Sequence, residues 1–140
     1  MLDANKNTVR AFVDAINRKD WVQLRKVLAP GFQRHSAAAG TPAVASADDL
    51  IRFLEREYLT FPDATETIED ILAEGDKVAV RLRFRGTQNG AMGEFPPTGK
   101  VLEATYLAIY RLHAGRIVEA WAEWDNIHGL RQLGHHLAGV

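Results

Sequence analysis

The chain has 140 residues, 46% of them hydrophobic, with a formal net charge of -1 at pH 7 and no cysteine. This length suits one domain that buries its core without disulfides or a structural metal, and the lack of cysteine excludes zinc–thiolate sites, redox motifs and thiol nucleophiles. The balanced charge argues against nucleic acid or a membrane surface as partner, and the polar first residues and short apolar runs predict a cytoplasmic protein without signal peptide or membrane span.

The first part of the chain has the apolar periodicity of helices. A helix capped at Asn7 or Thr8 is followed by a shorter one that stops at the Ala-Pro-Gly segment 29–31. A short strand over 32–36 and a mobile loop over 37–46 are expected next. The apolar positions of the two helices are Val9, Phe12, Val13, Ile16, Trp21, Leu24, Val27 and Leu28.

A third helix is predicted after a cap at Ser46 or Asp48. It ends before the Phe-Pro-Asp segment 61–63, because the residue that precedes a proline avoids helical backbone angles. The apolar residues of this helix are Leu50, Ile51, Phe53, Leu54 and Tyr58.

From residue 65 the apolar period changes to two, which is typical of strands. A long loop over 88–100 interrupts the strands, and a last helical segment covers 127–133. Helices followed by consecutive strands indicate an α+β fold, in which helices lie on one face of a curved antiparallel sheet. We predict one domain over 1–134 and a flexible tail over 135–140. The strands are predicted at 65–73, 77–87, 101–112 and 116–125.

The last strand carries the strongest candidate for chemistry. Strict alternation places Ile117, Glu119, Trp121, Glu123 and Asp125 on one face. Asp125 has two interpretations: it caps the closing helix at 126–128, or it lies at the mouth of a dry cavity beside Trp121. In the second case desolvation would raise the pKa of its carboxyl group, which suits a general acid or base.

Histidine and arginine side chains supply further candidates. His35 ends the short first strand, where it is either an ordinary hydrogen-bonding residue or a proton shuttle. Arg81, Arg83 and Arg85 share one strand face, which favours a solvated or subunit-facing surface; the alternative is that one of them turns inward to hold an anionic substrate group. Three further histidines are expected to face solvent: His113, His135 and His136.

Known cofactor motifs do not fit this chain. The segment 93–100 is glycine-containing, but it leads into a strand and lacks the Ser or Thr of a phosphate loop. No pair of histidines has metal-ligand spacing, so we expect a mechanism without metal or cofactor. The long loop over 88–100 is of a kind that often borders a pocket, with Met92 and Phe95 as an apolar lip.

Several short segments, taken in order, resemble the SnoaL-like polyketide cyclase and ester cyclase family of the nuclear transport factor 2-like superfamily. The matches run from the first helix to Gly134. They are Phe-Pro-Asp at 61–63, Ala-Glu-Gly-Asp-Lys-Val at 73–78, Arg-Gly-Thr at 85–87, Pro-Pro-Thr-Gly-Lys at 96–100, Tyr-Arg-Leu at 110–112, Gly-Arg-Ile-Val-Glu at 115–119, Trp121, Asp125 and Gln-Leu-Gly at 132–134.

The resemblance implies a cone-shaped α+β barrel with a deep apolar cavity, assembled as a homodimer or homotetramer. It implies that Asp125 is the acid/base residue of an intramolecular aldol ring closure and that His35 assists. The chain departs from the family at 37–46 and in the residues that flank Asp125, Trp124 and Asn126, which bears on the substrate. The predicted pocket residues are Phe12, Gln33, Phe53, Leu54, Tyr58, Phe61, Phe95, Tyr106 and Trp121.

Three functions follow as hypotheses. The first is a cofactor-independent cyclase or isomerase that acts on a hydrophobic polyketide- or terpenoid-like small molecule. The second is a small-molecule-binding protein without catalysis, in which Asp125 is only a helix cap. The third is an epoxide hydrolase, which requires a second carboxylate and an arginine; Glu119 or Glu123 with Arg81 or Arg111 would have to supply them.

Overall fold

Helices and strands follow one another in the predicted order. The computed structural model describes residues 1–40 and 42–137. Its elements are α1 (Leu2–Arg18), α2 (Trp21–Val27), β1 (Leu28–His35), α3 (Ala47–Thr60), β2 (Thr65–Glu74), β3 (Lys77–Thr87), β4 (Val101–His113), β5 (Arg116–Glu123) and α4 (Asn126–Gln132).

The five strands form one sheet in the order β1-β5-β4-β3-β2. The antiparallel meander from β2 to β5 is confirmed, but β1 pairs with β5 in parallel, so the sheet is mixed at that edge. A parallel pair needs a long connection between its strands, and here α3 and the meander provide it. Register shifts interrupt β2 and β5, and such bulges bend strands and increase their twist. The α+β fold class is confirmed.

Polar side chains cap the start of α3 and of α4, whereas α1 begins without a side-chain cap. Ser46 caps α3 as predicted: its Oγ accepts a hydrogen bond from the Asp49 amide at 3.1 Å. α1 begins at Leu2, well before the predicted cap, because its first turns are largely exposed and polar and so carry no apolar signal. It ends at Arg18, and its C-cap residue is Lys19, whose φ of 54° is left-handed. α4 is capped by Asp125.

The apolar faces of α1 and α3 close the inner face of the sheet. Phe12 of α1 lies against Tyr110 of β4, with ring centroids 5.3 Å apart, and both residues are buried. A smaller cluster around Phe61 and Leu133 covers the other end of the sheet. No helix within residues 1–40 and 42–137 has the length and apolar character to cross a bilayer.

The long loop is held by a buried amide. Gln88 is fully buried, and its Nε2 donates to the carbonyl oxygens of Phe95 and Pro96 at 3.3 and 3.1 Å. His135 lies 2.8 Å from the Gln88 Oε1 and packs against the Phe95 ring. The prediction that His135 faces solvent is therefore wrong, because this loop folds back onto it. Residues 138–140 of the predicted tail lie outside the described residues.

The segment after β1 is tied to the end of β5. The Ala37 amide donates to Glu123 Oε1 at 2.8 Å, and the Asn126 Nδ2 donates to the Ala38 carbonyl oxygen at 2.8 Å. The first residues of the predicted mobile loop are therefore anchored beside the start of α4.

Gly90 is expected to be required for docking the long loop. Its amide donates to the Thr60 carbonyl oxygen at 3.1 Å, and the Cβ of an alanine there would overlap the backbone oxygen of Leu59. Gly90→Ala should lower the free energy of unfolding by about 1–3 kcal/mol or more, measured by urea denaturation. Gly93→Ala is the matched control, because that position has open space and a φ of 58°, so only backbone strain of about 1–2 kcal/mol applies. Equal effects of the two substitutions would contradict the steric explanation.

Candidate functional site

The register of β1 on β5 assigns side chains to the two faces of the sheet. Arg34 pairs with Ala120 and His35 pairs with Trp121, and paired residues present their side chains to the same face. Ala120 is buried, so Arg34 belongs to the inner face. His35 and Trp121 consequently lie on the outer face.

A bulge in β5 changes the alternation on which the prediction relied. Ile117 pairs with Leu112 and Glu119 pairs with Arg111, which leaves Val118 as the extra residue. Ile117 is fully buried with Ala120, whereas Glu119 faces outward. The expectation that Ile117 and Glu119 share one face is wrong for this reason.

Polar groups cluster in the space between the inner face of the sheet and the helices α1 and α3, which is called the cone below. They come from β1, α3, β2 and β4, and the contact that joins two of them is the Tyr106 hydroxyl, which donates to Glu66 Oε2 at 2.7 Å. Their charges act on one another, since each perturbs the ionisation of its neighbours. The interior cluster consists of Arg34, Glu57, Glu66, Tyr106 and Tyr110.

Burial dominates the ionisation of this interior cluster. Burial, reinforced by the neighbouring Glu66 and opposed by Arg34, raises the pKa of Glu57 to about 8. Burial also raises the pKa of Glu66, although the hydrogen bond from Tyr106 acts in the opposite direction. The pKa of Tyr106 is raised well above its ordinary value, first by burial and then by Glu66, so its hydroxyl keeps its proton. The cone therefore contains a protonated carboxyl group at neutral pH.

An open groove at the end of β5 shares one residue, Tyr106, with this cluster. It has a volume of about 460 Å³, and the Tyr106 and Trp124 rings meet there edge to face with centroids 6.0 Å apart. The groove is open to solvent, unlike the deep cavity that the resemblance implies. The groove residues are Arg81, Thr105, Tyr106, Leu107, Glu123, Trp124 and Asp125.

Asp125 fits both of its predicted environments in part. Its Oδ1 accepts a hydrogen bond from the His128 amide at 2.9 Å, which confirms the helix-cap interpretation. It also lines the groove, where its aromatic neighbour is Trp124, while Trp121 is not among the groove residues. The expectation that Asp125 lies against Trp121 is therefore wrong, because β5 ends at Glu123 and alternation does not continue to Asp125.

His35 takes part in a network on the outer face. Its Nε2 lies 2.6 Å from Glu119 Oε2, and the Arg111 guanidinium donates to the other oxygen of Glu119 at 3.2 Å. The hydrogen bond with His35, followed by that from Arg111, lowers the pKa of Glu119. The Trp121 ring lies 5.6 Å from the imidazole. The structure thus does not bring His35 and Asp125 together, because each is held by a different partner.

The predicted pocket residues fall into several environments. Phe12, Leu54 and Phe61 are buried in the core, and Tyr106 alone among the nine lines the groove. Gln33 is exposed because it pairs with Glu119 on the outer face, so its placement in the pocket is wrong. The same register places Trp121 on the outer face, so its placement in the pocket is also wrong. The remaining three are half-buried at separate contacts: Phe53 under Arg34, Tyr58 on the Ile16 carbonyl oxygen, and Phe95 on His135.

The arginines of β3 are solvated as the first interpretation held. Arg81 pairs with Asp70 and Arg83 pairs with Glu69, each at 2.7 Å, while Arg85 lies 3.7 Å from Glu103. The inward arginine is Arg34. Within residues 1–40 and 42–137, no group of three or more His, Asp or Glu side chains is placed to hold a metal ion.

The sequence contained a signal for the carboxyl groups that were missed. Glu57 lies four positions after Phe53 and next to Tyr58, on the apolar stripe of α3, and Glu66 alternates with Ile68 on the apolar face of β2. A charged residue at an apolar position of the pattern is the observation that indicates a buried, functional group.

The comparisons with known proteins identify the family. A family model described as SnoaL-like polyketide cyclase matches residues 6–133. The chain belongs to the SnoaL-like polyketide cyclase family. No curated protein sequence matches this chain.

Solved structures agree with the fold. IdmH from Streptomyces antibioticus, described as a candidate polyketide cyclase, is 34% identical over 94% of this chain and 99% of its own, with a TM-score of 0.83. AclR from Streptomyces galilaeus, described as a candidate hydroxylase, is 27% identical over 96% and 98%, with a TM-score of 0.80. An epoxide hydrolase from M. tuberculosis shares the fold at 14% identity over 94% and 90%, with a TM-score of 0.74.

The protonated state of Glu57 predicts a pH-dependent stability. Its pKa is about 8 in the fold against an ordinary 4.5, so the fold holds a proton that the unfolded chain releases between these values. Its contribution is fully present below about pH 4.5 and is lost as pH rises to about 8, by at most roughly 5 kcal/mol. Urea unfolding of Glu57→Gln should show a flatter pH profile and higher stability than wild type above pH 8.

Glu55→Gln is the matched control, because Glu55 is exposed on the same helix. Its profile should follow that of the wild-type protein. A Glu57→Gln variant with an unchanged pH slope would show that Glu57 is ionised in the fold.

Proposed function

We propose that this protein is a cofactor-independent cyclase or isomerase of a hydrophobic polyketide- or terpenoid-like molecule. The observation that carries the proposal is the meeting of Asp125, Trp124 and Tyr106 in one groove, with the Tyr106 hydroxyl 2.7 Å from the Glu66 carboxyl group. An exposed carboxylate, an aromatic wall and a hydroxyl backed by a buried acid suit the removal and return of a proton.

The proposed reaction needs only proton transfer. Asp125 takes a proton from a carbon next to a substrate carbonyl group, and the resulting enolate forms a carbon–carbon bond with a second carbonyl carbon of the same molecule. The Tyr106 hydroxyl turns from Glu66 to the oxygen on which negative charge develops. That oxygen is then protonated from Asp125, so the product is an isomer of the substrate and no oxidant, reductant or metal is consumed.

Positioning is the second contribution to the rate. A flexible chain that lies in the groove against Trp124 and Leu107 has its reacting carbons held near each other. In the best intramolecular models such positioning lowers a barrier by about 7–11 kcal/mol. A single acid or base adds about 10²–10⁴-fold. The groove therefore needs few catalytic groups.

The proposal includes a homodimer or homotetramer. Its support is the exposure of two large apolar side chains outside the groove on the outer sheet face, Leu72 and Ile109.

Asp125→Asn should abolish proton transfer without unfolding the protein. Asparagine caps helices as well as aspartate does, so the hydrogen bond from the His128 amide remains while the basic carboxylate is lost. We expect a loss of about 10²–10⁴-fold in the rate at which bicyclic aryl ketones such as 1-tetralone take up deuterium from D₂O, followed by NMR. Tyr106→Phe should lower the same rate by about 10²–10³-fold.

Asp20→Asn is the matched control for the cap, because Asp20 accepts from the Gln23 amide at the start of α2, away from the groove. It should exchange deuterium at the wild-type rate. If Asp125→Asn also does so, the assignment of Asp125 fails. Ketones that bind, as seen by tryptophan fluorescence, but exchange at the rate in buffer would support a binding protein without catalysis.

A second function, epoxide hydrolysis, is favoured by one specific observation. Arg34, Glu57 and Glu66 lie in the interior cluster, which is the combination of two carboxyl groups and an arginine that the sequence pattern lacked. In this reaction the Glu66 carboxylate removes a proton from water, and the water oxygen attacks an epoxide carbon. The carbon–oxygen bond breaks, and the neutral carboxyl group of Glu57 protonates the leaving oxygen.

Labelled water separates the two functions. A cyclase gives a product of unchanged mass, whereas a hydrolase converts styrene oxide in oxygen-18 water into a diol that carries one oxygen-18 atom. If the second function holds, Glu66→Gln should lose this activity and Asp125→Asn should keep it. Mass spectrometry of the product measures the outcome, and an unlabelled diol or no diol would exclude hydrolysis by this protein.

A further inference from the structure

Within residues 1–40 and 42–137, Arg34 is a cation inside the cone without an anionic partner. Its guanidinium carbon lies 4.1 Å from the centroid of the Phe53 ring, and its Nε is buried without a hydrogen-bond partner. Among the residues that the structure describes, no carboxylate forms an ion pair with it. Buried donors are nearly always satisfied, so this atom requires an explanation.

Other arginines of the sheet do have carboxylate partners. Arg81, Arg83 and Arg111 each have a carboxylate within 2.7 to 3.2 Å, on the outer face. Those pairs are partly exposed and contribute little to stability. Arg34 has lost much of its hydration and has received no pair in return.

The neighbouring carboxyl group does not supply the missing charge at neutral pH. Burial raises the pKa of Glu57 to about 8, so this group is neutral below that pH. Burial likewise lowers the pKa of Arg34, although a guanidinium group keeps its charge in proteins. An unpaired buried charge destabilises the fold, and an anion from outside the chain would offset that cost.

We propose that Arg34 binds the carboxylate group of an apolar ligand inside the cone. The proposal rests on the proposed function, because it gives the substrate class of that site: a hydrophobic acid with its apolar body toward the groove. A guanidinium group recognises a planar carboxylate through two parallel hydrogen bonds. Stacking on Phe53 fixes the plane of the fork. The β5 neighbours on the inner face are alanines, Ala120 and Ala122, whose short side chains carry no polar group that could pair with the guanidinium.

Shape-matched probes test the charge that Arg34 prefers. The full chain is titrated with 2-naphthoate and 2-naphthamide, and with decanoate and decanamide, by calorimetry at pH 7. We expect at least tenfold tighter binding of each carboxylate than of its amide. In Arg34→Gln this preference should disappear while the amides bind as before. Arg34→Lys should recover part of it, because the charge remains but the fork and the stacking are lost.

Two controls separate binding from a structural role. Arg83→Gln removes an arginine of the outer face and should bind all four probes like the wild-type protein. Arg34→Gln without probe should melt at the same or a higher temperature than wild type, since it removes an unpaired buried charge. A lower melting temperature would show a structural partner for Arg34 and would overturn the proposal.

The remaining outcomes are equally decisive. Equal affinity of the wild-type protein for carboxylate and amide, or no measurable affinity for either carboxylate, overturns the proposal. Asp20→Asn should keep the full preference for carboxylates, because Asp20 caps α2 away from both the groove and the interior cluster. If that preference is found while no ketone exchanges deuterium, the carboxylate site stands and the proposed cyclase function fails.

Discussion

The parallel pairing of β1 with β5 decides which side chains the cone encloses. Because Arg34 pairs with Ala120 and His35 with Trp121, the register places the guanidinium inside and the imidazole outside. A slip of one residue would exchange the two, since side chains alternate between the faces of a strand. The charge inside the cone, the His35–Glu119 contact outside it and the exposure of Gln33 all follow from this single pairing.

Local pattern predicts those parts of the fold that local forces determine. The bounds of β3, 77–87, follow from a strict period of two between turn residues, and α3 follows from a cap and a proline. The partner of β1 has no local signal, because it lies more than eighty residues away and any of the exposed edges would satisfy its backbone. The bulge at Val118 could not be predicted from the sequence either, because the residues around it also fit a regular alternation of two faces.

The candidate site divides in the same way. Asp125 was identified from the sequence because it follows a run of strand residues, precedes a helix and lies in a segment that resembles the family. The groove around Asp125 was not predicted, because β5 stops at Glu123. The aromatic neighbour of Asp125 is therefore Trp124 and not Trp121. The sequence shows Glu57 and Glu66 as charged residues at apolar positions of their elements. Only the packing of α3 over the sheet shows that Glu66 raises the pKa of Glu57.

The interior cluster is a cost to the fold that its chemistry explains. Each group lowers that cost in a different way: Glu57 by keeping its proton, Glu66 by accepting the Tyr106 hydrogen bond at 2.7 Å, and Arg34 by stacking on Phe53. Replacement of such groups by apolar residues commonly stabilises a protein, so their presence is not explained by stability. Of the three, Arg34 has the least complete compensation, because stacking leaves its Nε without an acceptor. A ligand that supplies this acceptor would bind and complete the packing of the cone in the same step.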